Sequence, residues 1–156
     1  MSQKCLLIVV NDLGYCISHR LPIAVAAQKS GYSVHIAYGD LGKTGERDSV
    51  LQGFELHSVP IQRGGTNPLS DLWSVLLLWC LYRRVQPDLV HLVTVKPVLY
   101  GGIAARLARL PAVVSAMAGL GFVFIDQKGI KAIFLRNVVK PLFRWALKHP
   151  RQTLIF

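Results

Sequence analysis

Acidic residues and patterned cysteines are scarce in this chain of 156 residues. Eight Asp and Glu stand against eighteen Lys and Arg, and the formal charge of +10 predicts attraction to polyanions: nucleotide phosphates, nucleic acid or an anionic membrane. The three cysteines, Cys5, Cys16 and Cys80, have no C-x-x-C pair and no metal-ligand spacing, so we expect packed thiols in a reducing compartment. No apolar run approaches the roughly 20 residues of a membrane-spanning helix, which predicts a cytoplasmic protein.

Signatures of several ligand classes are also missing. The first apolar segment is followed by residues 11–15, where Gly14 is the one glycine, so the G-x-G-x-x-G of dinucleotide sites is absent. We therefore expect no NAD, FAD or Walker-type ATP site. No zinc module, helix-turn-helix or RNA-binding aromatic signature accompanies the basic residues, which argues against nucleic acid as a partner.

What the sequence does contain is a regular alternation of short apolar segments and helical ones. Such alternation requires right-handed parallel crossovers. We predict one α/β domain over residues 1–156, a Rossmann-like doubly wound parallel sheet with strand order 3-2-1-4-5-6. His91, inside the fourth strand, is expected to be a core histidine with its hydrogen bonds satisfied, rather than a ligand-binding residue. The predicted strands are 5–10, 33–38, 55–60, 89–93, 112–115 and 153–156, and the predicted helices are 18–29, 43–52, 70–84, 98–109 and 130–149.

Polar and glycine residues follow the first, fourth and fifth predicted strands, at the edge where open α/β sheets bind ligands. Gly14 can bring backbone N–H groups near a phosphate, or simply form a tight turn. Lys96, with the Thr94 hydroxyl beside it, directs a compact charge toward that edge, with a solvated lysine as the alternative. Gly119 and Gly121 permit close approach of a substrate or a second domain, unless they form an ordinary loop.

Two further basic residues, His19 and Arg20, open the predicted helix 18–29 near the same edge. A cation at a helix N-terminus costs roughly 0.3–1 kcal/mol. Arg20 is therefore expected to have an anionic partner, which is either Asp12 or Asp40 or a bound anion.

The last predicted helix has cations on one side and apolar residues on the other. This pattern suits an anionic membrane surface, at about 1 kcal/mol for each cation, and equally a core helix with a solvated basic face. The net charge of +10 favours the membrane. The cations expected at the membrane surface are Arg136, Lys140, Arg144 and Lys148, and the apolar side contains Phe134, Leu135, Val138, Val139, Leu142, Trp145 and Ala146.

Three motifs, in this order, resemble the N-terminal half of glycosyltransferase family 4. They are V-x-N-x-x-G-Y-x-x-S-H-R-L-P-I-A at residues 9–24, V-H-L-V-T-V-K-P-V-L-Y-G-G at 90–102 and G-L-G-F-V-F at 119–124. More narrowly, the chain resembles bacterial enzymes that extend polyprenyl-diphosphate-linked sugars for O-antigen, capsule or glycoprotein glycans.

The resemblance implies a two-domain GT-B transferase in which this chain is the acceptor-side domain and the C-terminal nucleotide-sugar-binding domain is absent. The implied reaction is transfer of a hexosyl or N-acetylhexosaminyl group, with retention, from a UDP-linked sugar to a polyprenyl-diphosphate glycan. It implies no cofactor, no metal and a peripheral position on the inner face of the cytoplasmic membrane. We expect the chain alone to be inactive. The alternatives are a membrane-recruiting subunit of a split transferase and a non-enzymatic basic membrane-binding module.

The resemblance also implies donor- or acceptor-binding positions. Gly14 would lie by the donor phosphates, and Gly119 with Gly121 would form the loop beneath the reacting sugar. Many family members have a histidine or an acid just before that loop, whereas this chain has Met117 and Ala118, so no catalytic residue is assigned. The positions expected to face the cleft, toward the acceptor diphosphate or the donor, are His19, Arg20, Thr94 and Lys96.

Overall fold

A computed structural model describes residues 3–40, 50–61, 67–117, 137 and 140–155 of the chain. Within these ranges strands and helices alternate, as the sequence predicts. The elements are β1 (Cys5–Asp12), α1 (Leu13–His19), α2 (Leu21–Lys29), β2 (Ser33–Asp40), β3 (Glu55–Ser58), α3 (Pro68–Val85), β4 (Leu89–Val93), α4 (Val95–Ala108), β5 (Val113–Ala116), α5 (Lys140–Ala146) and β6 (Gln152–Ile155).

The six strands form one sheet in the order β3-β2-β1-β4-β5-β6, and every paired neighbour is parallel. This confirms the predicted doubly wound sheet and its order. Parallel pairing brings the carboxyl ends of β1, β4 and β5 to one edge of the sheet, where the candidate ligand-binding residues follow them.

The central strand β1 is buried on both faces, which explains its continuous apolar run. Leu7 and Val9 belong to the core beneath α3 and α4. Leu6, Ile8 and Val10 belong to the core on the other face, beneath α1 and α2. Side chains of successive strand residues point to opposite faces, so one short segment holds both helical layers in place.

The small residues of α4 allow that helix to pack closely on both sides. A Cβ atom at Gly101 would come within 2.5 Å of Leu92 Cδ2 on β4 and 2.9 Å of the Tyr82 hydroxyl on α3. A Cβ atom at Gly102 would lie 3.0 Å from the Ala146 Cβ atom on α5. The backbone of α4 is therefore in close contact with β4, α3 and α5.

The helix after β1 differs from its predicted bounds. It begins at Leu13 rather than Ser18, because the Asp12 carboxylate caps it by accepting a hydrogen bond of 2.8 Å from the Tyr15 N–H. It ends at His19, and α2 begins at Leu21. Pro22 has no N–H to continue the hydrogen-bond ladder, so the chain forms two short helices here instead of one.

Two later helices also begin earlier than predicted. Asn67 caps α3, with its side-chain oxygen 3.1 Å from the Leu69 N–H, so this helix starts at Pro68 rather than Ser70. The helix α4 begins at Val95 rather than Val98. Pro97 lies in its first turn, where a missing N–H leaves no hydrogen bond unmade. Lys96, which we expected in a loop, therefore lies in the first turn of a helix.

Several sequence predictions fall outside the described residues, among them Gly119, Gly121, Arg136, most of the predicted helix 43–52 and the first half of the predicted helix 130–149. In the part of the chain that the structure describes, no helix has both the length and the apolar character needed to cross a membrane.

Candidate functional site

Thr94 connects the carboxyl ends of three neighbouring strands. It directly follows β4, its N–H donates to the Ala116 carbonyl of β5 at 3.1 Å, and its hydroxyl donates to Asn11 Oδ1 of β1, also at 3.1 Å. Its own carbonyl accepts from the Val98 N–H of α4 at 3.0 Å. One residue thus fixes the edge of the sheet where the chain turns from strand to helix.

The backbone of Thr94 is strained. It has φ 74° and ψ 167°, a region that side-chain-bearing residues avoid and that costs of order 1–3 kcal/mol. The other two described non-glycine residues with positive φ, Gln86 and Arg109, simply end helices in the left-handed conformation. Strain of this kind persists where surrounding contacts impose it, and such positions concentrate at functional sites.

Lys96 belongs to a polar cluster that joins the first turns of α3 and α4. Its Nζ lies 3.8 Å from Asp71 Oδ1 and 6.0 Å from the centre of the Tyr100 ring. Burial and a hydrogen bond to the Asp71 carboxylate raise the pKa of Tyr100. A lysine in the first turn of a helix opposes the helix dipole, and the Asp71 carboxylate offsets that cost. The ammonium group is thereby held at the carboxyl edge of the sheet.

Gly14 lies at the same edge, on the opposite face of the sheet. It is in the first turn of α1, two residues after the capping Asp12. Gly14, Thr94 and Lys96 therefore lie at the starts of the helices that follow β1 and β4, whereas the sequence predicts Gly14 and Lys96 in the loops before those helices.

His19 lies at the far end of α1, away from the strand ends, because this helix begins five residues earlier than predicted. It is exposed, its ring stacks on Tyr15 with 4.4 Å between centroids, and its Nδ1 is 2.6 Å from the Ser18 hydroxyl. His19 is thus not brought together with Thr94 and Lys96 among the described contacts.

Arg20 connects α1 to α2, and its positive charge influences two buried groups, His91 on β4 and Cys16 on α1. Burial lowers the pKa of His91 to about 4, and Arg20 lowers it further, against a hydrogen bond with the Val114 backbone. Burial raises the pKa of Cys16 to about 11, although Arg20 acts in the opposite direction. His91 is buried and neutral at pH 7, which confirms its predicted position in the core. The prediction that its hydrogen bonds are satisfied is wrong for Nε2, which has no partner among the described residues.

The expected carboxylate partner of Arg20 is not found among the described ion pairs. Asp12, one of the two candidates, caps α1 through the Tyr15 N–H. Arg20 Nε and His91 Nε2 are buried atoms without a hydrogen-bond partner in the described part of the chain.

Sequence reasoning did not single out three residues of the site: Asn11, Asp71 and Tyr100. Asn11 stands at the end of a buried strand, a position where a polar residue is itself a signal. Asp71 and Tyr100 carry no such signal, because each is one polar residue on an amphipathic helix and acquires its role only through the contact between α3 and α4.

The helix α5 presents a mixed cationic and apolar surface. Lys140 and Arg144 of α5, and Lys148 just after it, are exposed, as predicted. Leu142 and Trp145, predicted on the apolar side with Ala146, are each 39% exposed, and the buried residues of α5 are Phe143 and Ala146. The reason is geometric, since Ala146 packs against Gly102 of α4 and thereby sets which side of the helix is buried. The Arg106 guanidinium stacks over Trp145 at 4.8 Å.

Among the described residues, one group of three potential metal ligands is found, and it consists of His35, Glu55 and His57. It lies within β2 and β3 and not beyond the carboxyl ends of β1, β4 and β5.

Comparison with known proteins gives consistent matches. The family model described as glycosyl transferase 4-like matches residues 4–156. An Escherichia coli UDP-Gal:α-D-GlcNAc-diphosphoundecaprenol α-1,3-galactosyltransferase is 33% identical over 87 residues, which cover 56% of this chain and 21% of that protein. A Campylobacter jejuni N,N'-diacetylbacillosaminyl-diphospho-undecaprenol α-1,3-N-acetylgalactosaminyltransferase is 27% identical over 100 residues, covering 64% of this chain and 26% of that protein. The matched regions are thus about a quarter of each relative.

Structural neighbours share the fold at low sequence identity. MurG of Acinetobacter baumannii superimposes with a TM-score of 0.56 and 19% identity over 85% of this chain and 39% of its own. A glycosyltransferase of Rickettsia africae superimposes with a TM-score of 0.60 and 12% identity over 99% of this chain and 43% of its own. The resemblance stated from the motifs is confirmed: the chain belongs to the glycosyltransferase 4-like family.

Proposed function

We propose that this chain is the acceptor-side domain of a glycosyltransferase that moves a sugar from a nucleotide-sugar donor to a polyprenyl-diphosphate-linked acceptor. The observation that carries the proposal is that two relatives of this chain are both named for undecaprenyl-diphosphate acceptors. The product belongs to bacterial surface polysaccharide, either lipopolysaccharide O-antigen or capsule. The transferred group is a hexosyl or N-acetylhexosaminyl residue, delivered from a UDP-linked donor with retention of configuration.

The donor is held mainly by a second unit that this chain does not contain, and the 156 residues alone are inactive in this proposal. The share of each relative that the chain matches, 21% and 26%, supports this division. The second unit is a C-terminal domain or a separate partner chain, and the substrates meet between it and the carboxyl edge of the sheet.

The chemistry of the edge suits a reaction between two substrates that each carry a diphosphate. In the transfer, the bond from the sugar C1 to the donor phosphate oxygen breaks, and the nucleoside diphosphate leaves with the electron pair. The oxygen of an acceptor hydroxyl forms the new bond to C1, and its proton passes to the leaving phosphate. Negative charge grows on the leaving phosphate, and a fixed cation with fixed hydrogen-bond donors stabilises it. Lys96, held by Asp71, and the backbone around Gly14 supply such groups, and Thr94 positions them.

The proposal also places the chain on the inner face of the cytoplasmic membrane, where a polyprenyl lipid is accessible. The exposed cations of α5, with the half-exposed Leu142 and Trp145 beside them, form the contact surface. No metal or cofactor takes part in the transfer.

An acceptor comparison tests the proposal. The protein extended through its second unit is given the same acceptor sugar on polyprenyl diphosphate and as a free sugar, with a panel of nucleotide sugars. We expect transfer to the lipid-linked acceptor and little to the free sugar. Equal transfer to both would contradict the assigned acceptor class.

The role of Lys96 is tested in the same assay. Lys96→Gln removes the charge and should lower kcat/KM by about tenfold or more, since charged contacts at a reacting phosphate are worth several kcal/mol. Lys29→Gln, an exposed cation at the end of α2, is the matched control and should leave transfer unchanged. Equal activity of the two variants would remove Lys96 from the site.

A further inference from the structure

Three potential metal ligands lie side by side across β2 and β3. His35 on β2 is directly opposite Glu55 on β3, and His57 is opposite Ala37, so all three side chains project from the same face of the sheet. One ligand atom from each residue lies within 4.8 Å of the ligand atoms of the other two. Alternate residues of a strand share a face, so pairing of β2 with β3 brings two imidazoles and one carboxylate together on one face of the sheet.

The separations of these atoms are close to those of a metal's first coordination shell. His35 Nδ1 lies 3.0 Å from His57 Nε2 and 3.4 Å from Glu55 Oε2. Ligands about 2.0–2.1 Å from a tetrahedral Zn²⁺ are roughly 3.3 Å apart, so a small adjustment of the side chains seats an ion between them. The two rings are parallel, with an interplanar angle of 5°, and their centroids are 5.3 Å apart.

The surroundings leave this group accessible from one side. The side chain of His35 is 13% exposed, whereas that of Glu55 is 73% exposed and borders solvent. The strand β3 is a sheet edge of four residues, and even its apolar Leu56 is 41% exposed. Because β3 buries little of its surface, a metal cross-link to β2 would stabilise the attachment of this strand to the sheet.

We propose that His35, Glu55 and His57 bind a divalent transition-metal ion of the Zn²⁺ type and thereby cross-link the edge strand β3 to β2. Two imidazole nitrogens and one carboxylate oxygen are the donor set that such ions take, with solvent in the remaining position. The site lies on β2 and β3 and contains neither Thr94 nor Lys96, so the ion takes no part in sugar transfer. The proposal is independent of the proposed function.

The experiment measures Zn²⁺ and Co²⁺ binding by the tag-free 156-residue chain after dialysis against a chelator. Cys80, an exposed thiol on α3, is changed to Ser in every protein so that it does not compete for metal. We expect one ion for each chain, a Co²⁺ absorption spectrum typical of nitrogen and oxygen ligands, and a higher melting temperature with Zn²⁺. His57→Gln and Glu55→Gln each remove a ligand. Each should weaken Zn²⁺ binding by at least about 10–100-fold, which is the effect of losing a residue that only supports a ligand.

A matched control removes a histidine elsewhere. His19→Gln lowers the histidine count equally but leaves the three ligands in place, so its affinity for Zn²⁺ should equal that of the parent. Melting curves without metal identify any variant that fails to fold, and in that case the stoichiometry and the Co²⁺ spectrum of the parent chain decide. Absence of stoichiometric binding, or equal affinities of the ligand and control variants, would overturn the proposal.

Discussion

Thr94 combines a strained backbone with a side-chain contact that joins two strand ends. Its positive φ and its hydroxyl contact with Asn11 both arise where three strand ends meet. We predict that Thr94→Gly is more stable than Thr94→Ala by about 1 kcal/mol, because glycine relieves 1–3 kcal/mol of strain and costs about 0.5–1 kcal/mol in chain entropy. Both variants lose the hydroxyl, so their comparison in urea unfolding isolates the backbone. An alanine variant at least as stable as the glycine variant would contradict the strain.

His91 should make the stability of the protein depend on acidity. Its pKa is about 4 in the folded chain against an ordinary 6.5, owing to burial and to Arg20. Above pH 6.5 the His91 ring is neutral in both the folded and the unfolded chain. Between pH 6.5 and 4 the ring is protonated in the unfolded chain and stays neutral in the folded chain. The free energy of unfolding therefore falls as pH falls through this window, by up to about 3 kcal/mol.

The variant His91→Leu isolates this contribution from other acid-sensitive groups. Denaturant unfolding is measured for both proteins at several pH values from 7 down to 4. The variant should lose less stability than the parent across that range, and parallel pH profiles would rule out the assigned role of His91.

At the residue scale, the sequence predicted Thr94, Lys96 and Gly14 at the edge of the sheet because each stands next to a strand end. It could not predict what these side chains contact. Asn11 and Thr94 are 83 residues apart, and only the β1 and β4 pairing brings them together. The role of Lys96 likewise depends on Asp71 of a different helix.

At the scale of elements, strands were predicted more closely than helices. The bounds of β4 are those expected, since a short apolar run ends where polarity begins. Helix starts were misplaced by three to five residues at α1 and α4, because Asp12 caps its helix and prolines were taken as boundaries although they fit a first turn.

The packing of α4 provides a direct test at this scale. Alanine is the better helix former by about 1 kcal/mol, yet Gly101→Ala places a Cβ atom 2.5 Å from Leu92 Cδ2. We predict that Gly101→Ala lowers the free energy of unfolding by about 1–3 kcal/mol, the usual cost of overpacking. Adding Leu92→Val should restore part of that loss, which a double-mutant cycle measures. A stabilising Gly101→Ala would show that α4 does not lie this close to β4.

At the scale of the whole molecule, strand order followed from the alternation of elements, because parallel strands with right-handed crossovers leave few topologies.

The net charge of +10 concerns association rather than fold. We predict that the chain sediments with vesicles containing anionic lipid. Changing Lys140, Arg144 and Lys148 to Gln should weaken this binding by about tenfold or more, at about 1 kcal/mol for each cation near the surface.

A control of equal charge separates the helix surface from net charge. Lys4, Lys29 and Arg83 are exposed elsewhere, and changing these three to Gln removes the same number of charges. If both triple variants lose affinity equally, the attraction is nonspecific and α5 is not the contact surface.

The central claim is that this chain contributes the acceptor side of a sugar transfer. It is tested most directly by incubating a polyprenyl-diphosphate acceptor with a panel of nucleotide sugars, and comparing the 156-residue chain with the same chain extended through its second unit. The account predicts transfer from one donor by the extended protein and none by the chain alone. Transfer by neither protein from any donor, or transfer by the chain alone, would contradict it.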